Sequence, residues 1–138
     1  MTTRIDSFRA QGKVPVTVLQ PHGAVDASNY LELIAAAQKA YGAGERDVLL
    51  DLSQVPFLSS SGLVALQSMA ALMRGETPPD PEFGWQAFHA VGRDREIGMQ
   101  PHFKLLSPQP RVERALETVG FCKFLEIHTD LEAAVASF

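Results

Sequence analysis

Residues 47–52, DVLLDL, form a nearly continuous apolar run and constrain the fold of this chain most strongly. A run of this kind is typical of a strand whose two sides are both buried inside a sheet. Patterns typical of helices stand on either side of it along the chain, at residues 28–41 and 60–74. The segment therefore predicts a central strand of a sheet against which helices pack.

Further strands are predicted on both sides of this segment. Residues 14–20, VPVTVLQ, are rich in β-branched side chains, and a turn at Gly12-Lys13 would connect them to a short partner strand at residues 4–8. Residues 103–106, FKLL, predict another short strand, and the order of the segments allows one more between the third and the last helix. The chain thus supplies four or five strands.

Four helices are predicted from apolar spacing and from capping residues. The first is capped by Asp26 or Ser28 and ends at Gly42 and Gly44; the second starts at Ser60 or Ser61 and runs to about Arg74. The third opens at Ser107-Pro108 and closes at Gly120, and a capping box of Thr129 and Glu132 precedes the last. The apolar positions expected to face the core from the first helix are Leu31, Ile34, Ala35, Ala37 and Tyr41.

The order of these segments predicts an α/β fold: a mixed, mostly parallel sheet of four or five strands with helices packed against it. A length of 138 residues fits one domain over residues 1–138. Residues 75–102 interrupt the alternation between the second helix and the next strand, and we interpret them as an insertion. Because the second helix runs back from its start, we expect the insertion to emerge at the end of the sheet opposite Ser60.

Composition narrows the possible partners. The net charge of −4 gives no basic footprint for nucleic acid, so a protein or a small molecule is the expected partner. No apolar run approaches the ~20 residues of a membrane span, and the first residues lack the apolar region of a signal peptide. Cys122 is the single cysteine, which is consistent with a reducing, cytoplasmic location, and its apolar neighbours predict a buried side chain.

Residues 57–66, FLSSSGLVAL, place three serines and a glycine where a loop gives way to a helix. A serine at a helix start commonly caps the helix with its own hydroxyl. A phosphorylated serine at the same place would set a dianion against the unpaired N–H groups of the first turn. Gly62 has no Cβ, which would let another chain approach the hydroxyls closely. The two interpretations, capping and modification, are both open on these residues alone.

Three segments in the same order resemble the STAS domain family, of the anti-sigma factor antagonist type. DLSQVPFLSSSGLVAL at residues 51–66 is similar to the family pattern D-L-S-x-V-x-F-[ILM]-D-S-S-G-L-x-x-L. Residues 23–26, GAVD, resemble the G-E-L-D turn that precedes the family's first helix. FKLLSPQPRVERALETVGFCKFLEI, from residue 103, resembles the family's segment L-x-N-P-x-P-x-V-x-x-x-L-x-x-x-G-L-x-x-x-x-x-I. Together they cover most of residues 14–138.

The resemblance implies a non-enzymatic regulator without a cofactor, whose partner is an anti-sigma factor with serine kinase activity. The unphosphorylated form would bind that partner and the phosphorylated form would release it. Ser60 matches the phosphorylated position. Ser59 and Ser61 stay open as alternatives, because Ser59 stands where the family pattern has an aspartate. The residues implied in partner binding are Asp26, Ser59, Ser60, Ser61 and Gly62.

Two other functions remain open from the sequence. The chain could be a STAS subunit of a transport or stress-signalling assembly, in which the serines would serve only as a cap and contact patch. It could also bind a small ligand or act as an enzyme, with the insertion as a lid; His22 is the single histidine near enough to pair with a serine nucleophile. The four histidines show no metal-ligand spacing, and a homodimer is a further possibility.

Overall fold

A computed structural model describes residues 4–75 and 99–138 and contains a five-stranded sheet in the order β1-β2-β3-β4-β5. The strands are β1 (Ile5–Gln11), β2 (Pro15–Pro21), β3 (Val48–Asp51), β4 (Phe103–Leu106) and β5 (Ile127–His128). β1 runs antiparallel to β2, and the remaining neighbours are parallel. The predicted α/β fold with a mixed, mostly parallel sheet is confirmed.

Four helices are described beside the sheet, together with a 3₁₀ turn at Phe121–Lys123. They are α1 (Tyr30–Gly42), α2 (Ser60–Met73), α3 (Pro110–Val119) and α4 (Leu131–Ala136). α1 and α2 pack against each other over one face of the sheet. α4 covers part of the opposite face.

The apolar run at residues 47–52 contains β3, whose side chains are buried on both faces of the sheet. Val48 and Leu50 belong to the larger core beneath α1, α2 and α3. Leu49, between them, points to the other face and joins the smaller core under α4. All three side chains are fully buried, as expected of a central strand whose alternate residues face opposite cores.

Helix boundaries differ from the sequence prediction at two places. α3 begins at Pro110, with Gln109 as its N-cap, whereas Ser107-Pro108 was expected to open it. Ser107 instead adopts a positive φ of 51° in the loop after β4. The Thr129 capping box is also wrong, because Asp130 is the N-cap of α4 and its carboxylate accepts a hydrogen bond from the backbone N–H of Ala133.

The apolar face of α1 agrees with the prediction in part. Ile34 and Ala37 are buried and Tyr41 packs against the larger core, as expected. Leu31 and Ala35 are exposed instead, and Leu33 and Ala40 are buried in addition. The helix ends at Gly42 as predicted, and Gly44 beyond it adopts a positive φ of 93°.

Three further predictions concern the burial of Cys122, the insertion at 75–102 and membrane-spanning segments. Cys122 is half-buried rather than buried, and partial burial raises the pKa of its thiol, so it carries little thiolate. The insertion predicted at 75–102 stays a prediction, since its residues 76–98 lie outside the described part of the chain. Among the helices of residues 4–75 and 99–138, none has the length and apolar character needed to cross a membrane.

Candidate functional site at the start of α2

Two loops that follow β2 and β3 are held together where the second helix begins. The N–H of Val25 donates to the carbonyl of Phe57 (3.0 Å), and the N–H of Ser59 donates to the carbonyl of Val25 (3.0 Å). These bonds form a short parallel bridge between Val25 and Leu58 beyond the ends of the named strands. The bridge brings the loop of Asp26 beside the loop of the serines, although the two are distant in sequence.

The three serines of this site occupy different positions. Ser59 is the N-cap of α2, and its hydroxyl oxygen accepts a hydrogen bond from the N–H of Gly62 at 3.3 Å. Ser60 is the first residue of the helix and is exposed, whereas Ser61 is half-buried. Capping is therefore done by Ser59, and the hydroxyl of Ser60 is presented to solvent at the positive end of the helix dipole.

Gly62 is required by the packing of this chain itself. A Cβ at this position would lie 2.8 Å from the carbonyl oxygen of Val25 and 3.1 Å from a methyl carbon of Leu58. The close approach expected from another chain is thus made internally, by the loop that carries Asp26. The glycine stabilises the joint between the two loops, because only a residue without a side chain leaves room for the Val25 carbonyl.

Asp26 is half-exposed and lies in the turn before α1. Its carboxylate accepts hydrogen bonds from the hydroxyl and the backbone N–H of Ser28, the latter at 2.9 Å. These bonds, that of the hydroxyl foremost, lower the pKa of Asp26, so the side chain is ionised at neutral pH. The site therefore contains a fixed negative charge on the loop next to the serines.

The predicted caps of α1 are wrong. Neither Asp26 nor Ser28 is its N-cap; that position belongs to Asn29, whose side chain makes no capping bond to the helix. The Asn29 amide instead closes the turn, accepting from the N–H of Asp26 and donating to the carbonyl of Ala24, both at 2.9 Å. The carboxylate of Asp26 does not cap the helix and is bonded to Ser28 within this turn.

Apolar and cationic residues near the serines escaped the sequence analysis. Phe57, two residues before Ser59, is 36% exposed, and the guanidinium carbon of Arg111 on α3 lies 4.7 Å from its ring centroid. Leu31, in the first turn of α1, is 48% exposed. Arg111 could not be found from sequence, because its contact joins segments far apart in the chain. Leu31 was predicted to face the core because of its helical spacing; it lies on α1, the helix that follows the loop of Asp26.

Possible metal ligands and the histidine considered as a base can be located within the described residues. No group of three or more His, Cys, Asp or Glu side chains suited to a metal ion occurs in residues 4–75 and 99–138. The Nε2 atom of His22 contacts the Asp6 carboxylate on β1 at 2.8 Å.

Comparison with known proteins identifies the family. The model of the STAS domain matches residues 7–75, half of the chain, and the protein therefore belongs to the STAS domain family. The match includes the loop of Asp26, the three serines and all of α2. No curated protein sequence matches the chain.

Solved structures of anti-sigma factor antagonists share the fold. One from Thermotoga maritima is 16% identical with a TM-score of 0.64, over 94% of this chain and 90% of its own. One from Mycobacterium paratuberculosis is 19% identical with a TM-score of 0.63, over 97% of this chain and 93% of its own. SpoIIAA in its unphosphorylated form is 14% identical with a TM-score of 0.52, over 95% and 93%. At these identities the similarity establishes the fold.

Proposed function

We propose that this protein is a cytoplasmic anti-sigma factor antagonist that acts as a serine phosphoswitch. The unphosphorylated form binds an anti-sigma factor with serine kinase activity, and phosphorylation of Ser60 releases it. Membership of the STAS family and the fold shared with antagonists support this role. The similar protein SpoIIAA has been solved in an unphosphorylated and a phosphorylated form.

The exposure of Ser60 at the first position of α2 carries the proposal. Its neighbour Ser59 already uses its hydroxyl to cap the helix, and Ser61 is half-buried, so Ser60 is the serine most open to a kinase. A phosphate on Ser60 would lie at the N-terminus of a helix of 14 residues, where the dipole favours an anion. The modified state is thus tolerated by the fold itself.

The release step follows from charge and from desolvation. A phosphate adds about −2 of charge beside a loop that already holds the ionised Asp26. A partner that covers this surface would also bury the exposed side chains of Leu31 and Phe57. A hydrated dianion among these residues raises the free energy needed to remove water from the interface. A partner that fits the unmodified surface therefore dissociates from the phosphorylated form.

Mass spectrometry of the intact protein and of its peptides after incubation with ATP and the candidate kinase tests the acceptor. We expect one phosphate on Ser60, absent from Ser60→Ala and retained in Ser61→Ala. Ser59→Ala should still accept phosphate, with slower kinetics because the helix start is less ordered without its cap. Phosphate that persists in Ser60→Ala would show that another residue, such as Ser59 or Ser61, is the phosphate acceptor. No phosphate in any variant would contradict the switch and favour the assembly-subunit function.

Binding measurements test the consequence of the charge. Ser60→Asp should weaken binding of the anti-sigma factor by at least about tenfold, since it places a carboxylate in the contact surface. Thr118→Asp is the control of equal charge, because Thr118 is an exposed residue near the end of α3, outside the two loops of the site. An equal loss of affinity in both variants would mean that net charge, not the position of Ser60, controls binding.

A further inference from the structure

Within residues 4–75 and 99–138, β1 is an edge strand of the sheet, and the side of β1 that faces away from β2 can be identified from its hydrogen bonds to β2. The carbonyl of Arg4 accepts from the N–H of His22 (2.9 Å), and the N–H of Gly12 donates to the carbonyl of Val14 (3.1 Å). Both bonds belong to the β1–β2 register, so the even-numbered residues of β1 direct their backbone groups toward β2. The odd-numbered residues direct theirs away from the sheet: Ile5, Ser7, Arg9 and Gln11.

The even-numbered side chains of β1 lie on the face of the sheet that α4 covers only in part. Phe8 stands directly opposite Val18, a residue of the smaller core, yet its own side chain is 45% exposed. Further along the same strand, a groove of about 380 Å³ runs between the end of β1 and α4, with Ala10 and Leu131 among its lining residues. An exposed aromatic side chain next to an apolar groove on an open strand is a surface suited to association.

We propose that a second copy of this chain pairs with β1 in antiparallel orientation, with Phe8 on the two-fold axis. Phe8 then faces Phe8 of the second copy as a non-hydrogen-bonded pair, in which the side chains approach most closely. Ser7 pairs with Arg9 of the second copy, and Ile5 pairs with Gln11, each through backbone hydrogen bonds. Every outward backbone group of the odd-numbered residues gains a partner, and the two sheets become one.

Other symmetric registers fit less well. Moving the axis to Arg9 sets two like charges opposite each other, which destabilises a strand pair. Moving it to Ser7 places Phe8 opposite Asp6 of the second copy and leaves Gln11 without a partner in the strand. The axis at Phe8 is the arrangement that pairs the whole strand and buries aromatic against aromatic.

Charge at the ends of the paired strands agrees with this register. Arg4, whose side chain is 73% exposed, comes opposite Gly12 of the second copy. The guanidinium pairs with Asp6 of its own chain at 3.1 Å, and the proposed register sets it at the groove that Gly12 and Glu132 of the other copy line, so an acidic side chain stands on the facing side. The surface is therefore self-complementary, as a two-fold contact requires. It shares no residue with the serine site, and the inference does not rest on the proposed function.

Disulfide trapping tests both the contact and its register. In a Cys122→Ser background, Phe8→Cys should form an intermolecular disulfide, because opposed residues of a non-hydrogen-bonded pair lie within the span of this bond. Arg9→Cys in the same background is the matched control; its two copies are not opposed and should remain uncrosslinked. We expect a product of twice the 15.0 kDa chain from the first variant alone. Equal crosslinking of both would overturn the register.

Sedimentation of the unmodified chain and of Ser7→Pro tests the backbone pairing without a crosslink. Ser7 directs its N–H outward, so proline there removes a donor from the proposed contact while the β1–β2 ladder keeps its bonds. We expect the dimer dissociation constant to rise at least about tenfold, with an unchanged circular dichroism spectrum confirming the fold. A wild-type chain that stays at 15.0 kDa up to about 1 mM would overturn the proposal.

Discussion

Gly62 has no side chain, and this allows the loop of the serines to pack closely against the loop of Asp26. We expect Gly62→Ala to lower the free energy of unfolding by about 1–3 kcal/mol, because the new Cβ would lie 2.8 Å from the backbone oxygen of Val25. Alanine normally stabilises a helix relative to glycine by up to about 1 kcal/mol, so a loss here would expose the steric conflict. Urea unfolding measures the difference.

Gly42, the last residue of α1, is the control for this substitution. A Cβ added to it meets no heavy atom within 4 Å, so Gly42→Ala should be neutral or slightly stabilising. If Gly62→Ala proved as stable as Gly42→Ala, the Val25 carbonyl would have to move freely, and the rigid joint between the two loops would be contradicted.

The sequence could identify the individual site residues better than it could explain them. Ser60 and Asp26 were predicted as site residues because each lies in a short contiguous motif that resembles the family pattern. The contact that brings their loops together, between Val25 and Leu58, joins residues separated by more than thirty positions and leaves no local trace. Gly62 was recognised as significant, but its close neighbour is the Val25 backbone of the same chain.

The N-terminus of α4 provides a test of which residue caps a short helix. We expect Asp130→Ala to destabilise the protein by about 1 kcal/mol, since its carboxylate accepts the N–H of Ala133 at 2.9 Å. Thr129→Ala should change stability little, although threonine followed by glutamate three residues later resembles a capping box. Thermal unfolding of both variants measures this, and the reverse ranking would restore Thr129 as the cap.

Strands and helices were predictable to different degrees. The β-branched and apolar runs located β2, β3 and β4, because burial inside a sheet demands such residues over the whole segment. β1 was expected only as a short strand over residues 4–8, and it extends to Gln11. Helix starts were less certain, since several neighbouring residues can serve as a cap and tertiary packing selects among them. Pro110 rather than Pro108 begins α3, while Gln109 extends its amide to the carbonyl of Ser53 at 2.9 Å. That contact lies outside any local pattern.

The two faces of the sheet bury apolar cores of different size. The larger core lies beneath α1, α2 and α3, whereas the smaller one is covered by the six residues of α4. Lys104 of β4 is directed to the smaller face and is buried, with 3% of the residue exposed. An apolar pattern such as FKLL predicts a strand but does not show which buried partners accept a lysine within it.

Lys104 ties the end of the chain to the sheet through its ammonium group. Nζ donates to the carbonyl of Ser137 at 2.8 Å and to its hydroxyl at 3.0 Å, and it lies 3.0 Å from the carboxylate of Glu126. The ring centroid of Phe138 lies 4.8 Å from the same nitrogen. Because these contacts converge just beyond α4, the ammonium group is placed to hold that helix against the strands.

Lys104→Met retains the apolar stem and removes the charge, and we expect it to cost about 1–3 kcal/mol of unfolding free energy. Glu126, whose side chain is 35% exposed, can be hydrated after the change, which limits the loss. Hydrogen exchange should show faster opening of α4 amides and little change in α2, since the lost bonds hold only the smaller face. Lys39→Met, at an exposed position of α1, is the control and should stay within about 0.5 kcal/mol of wild type. Unchanged exchange in α4, or a gain in stability, would mean that apolar packing alone holds the helix on the sheet.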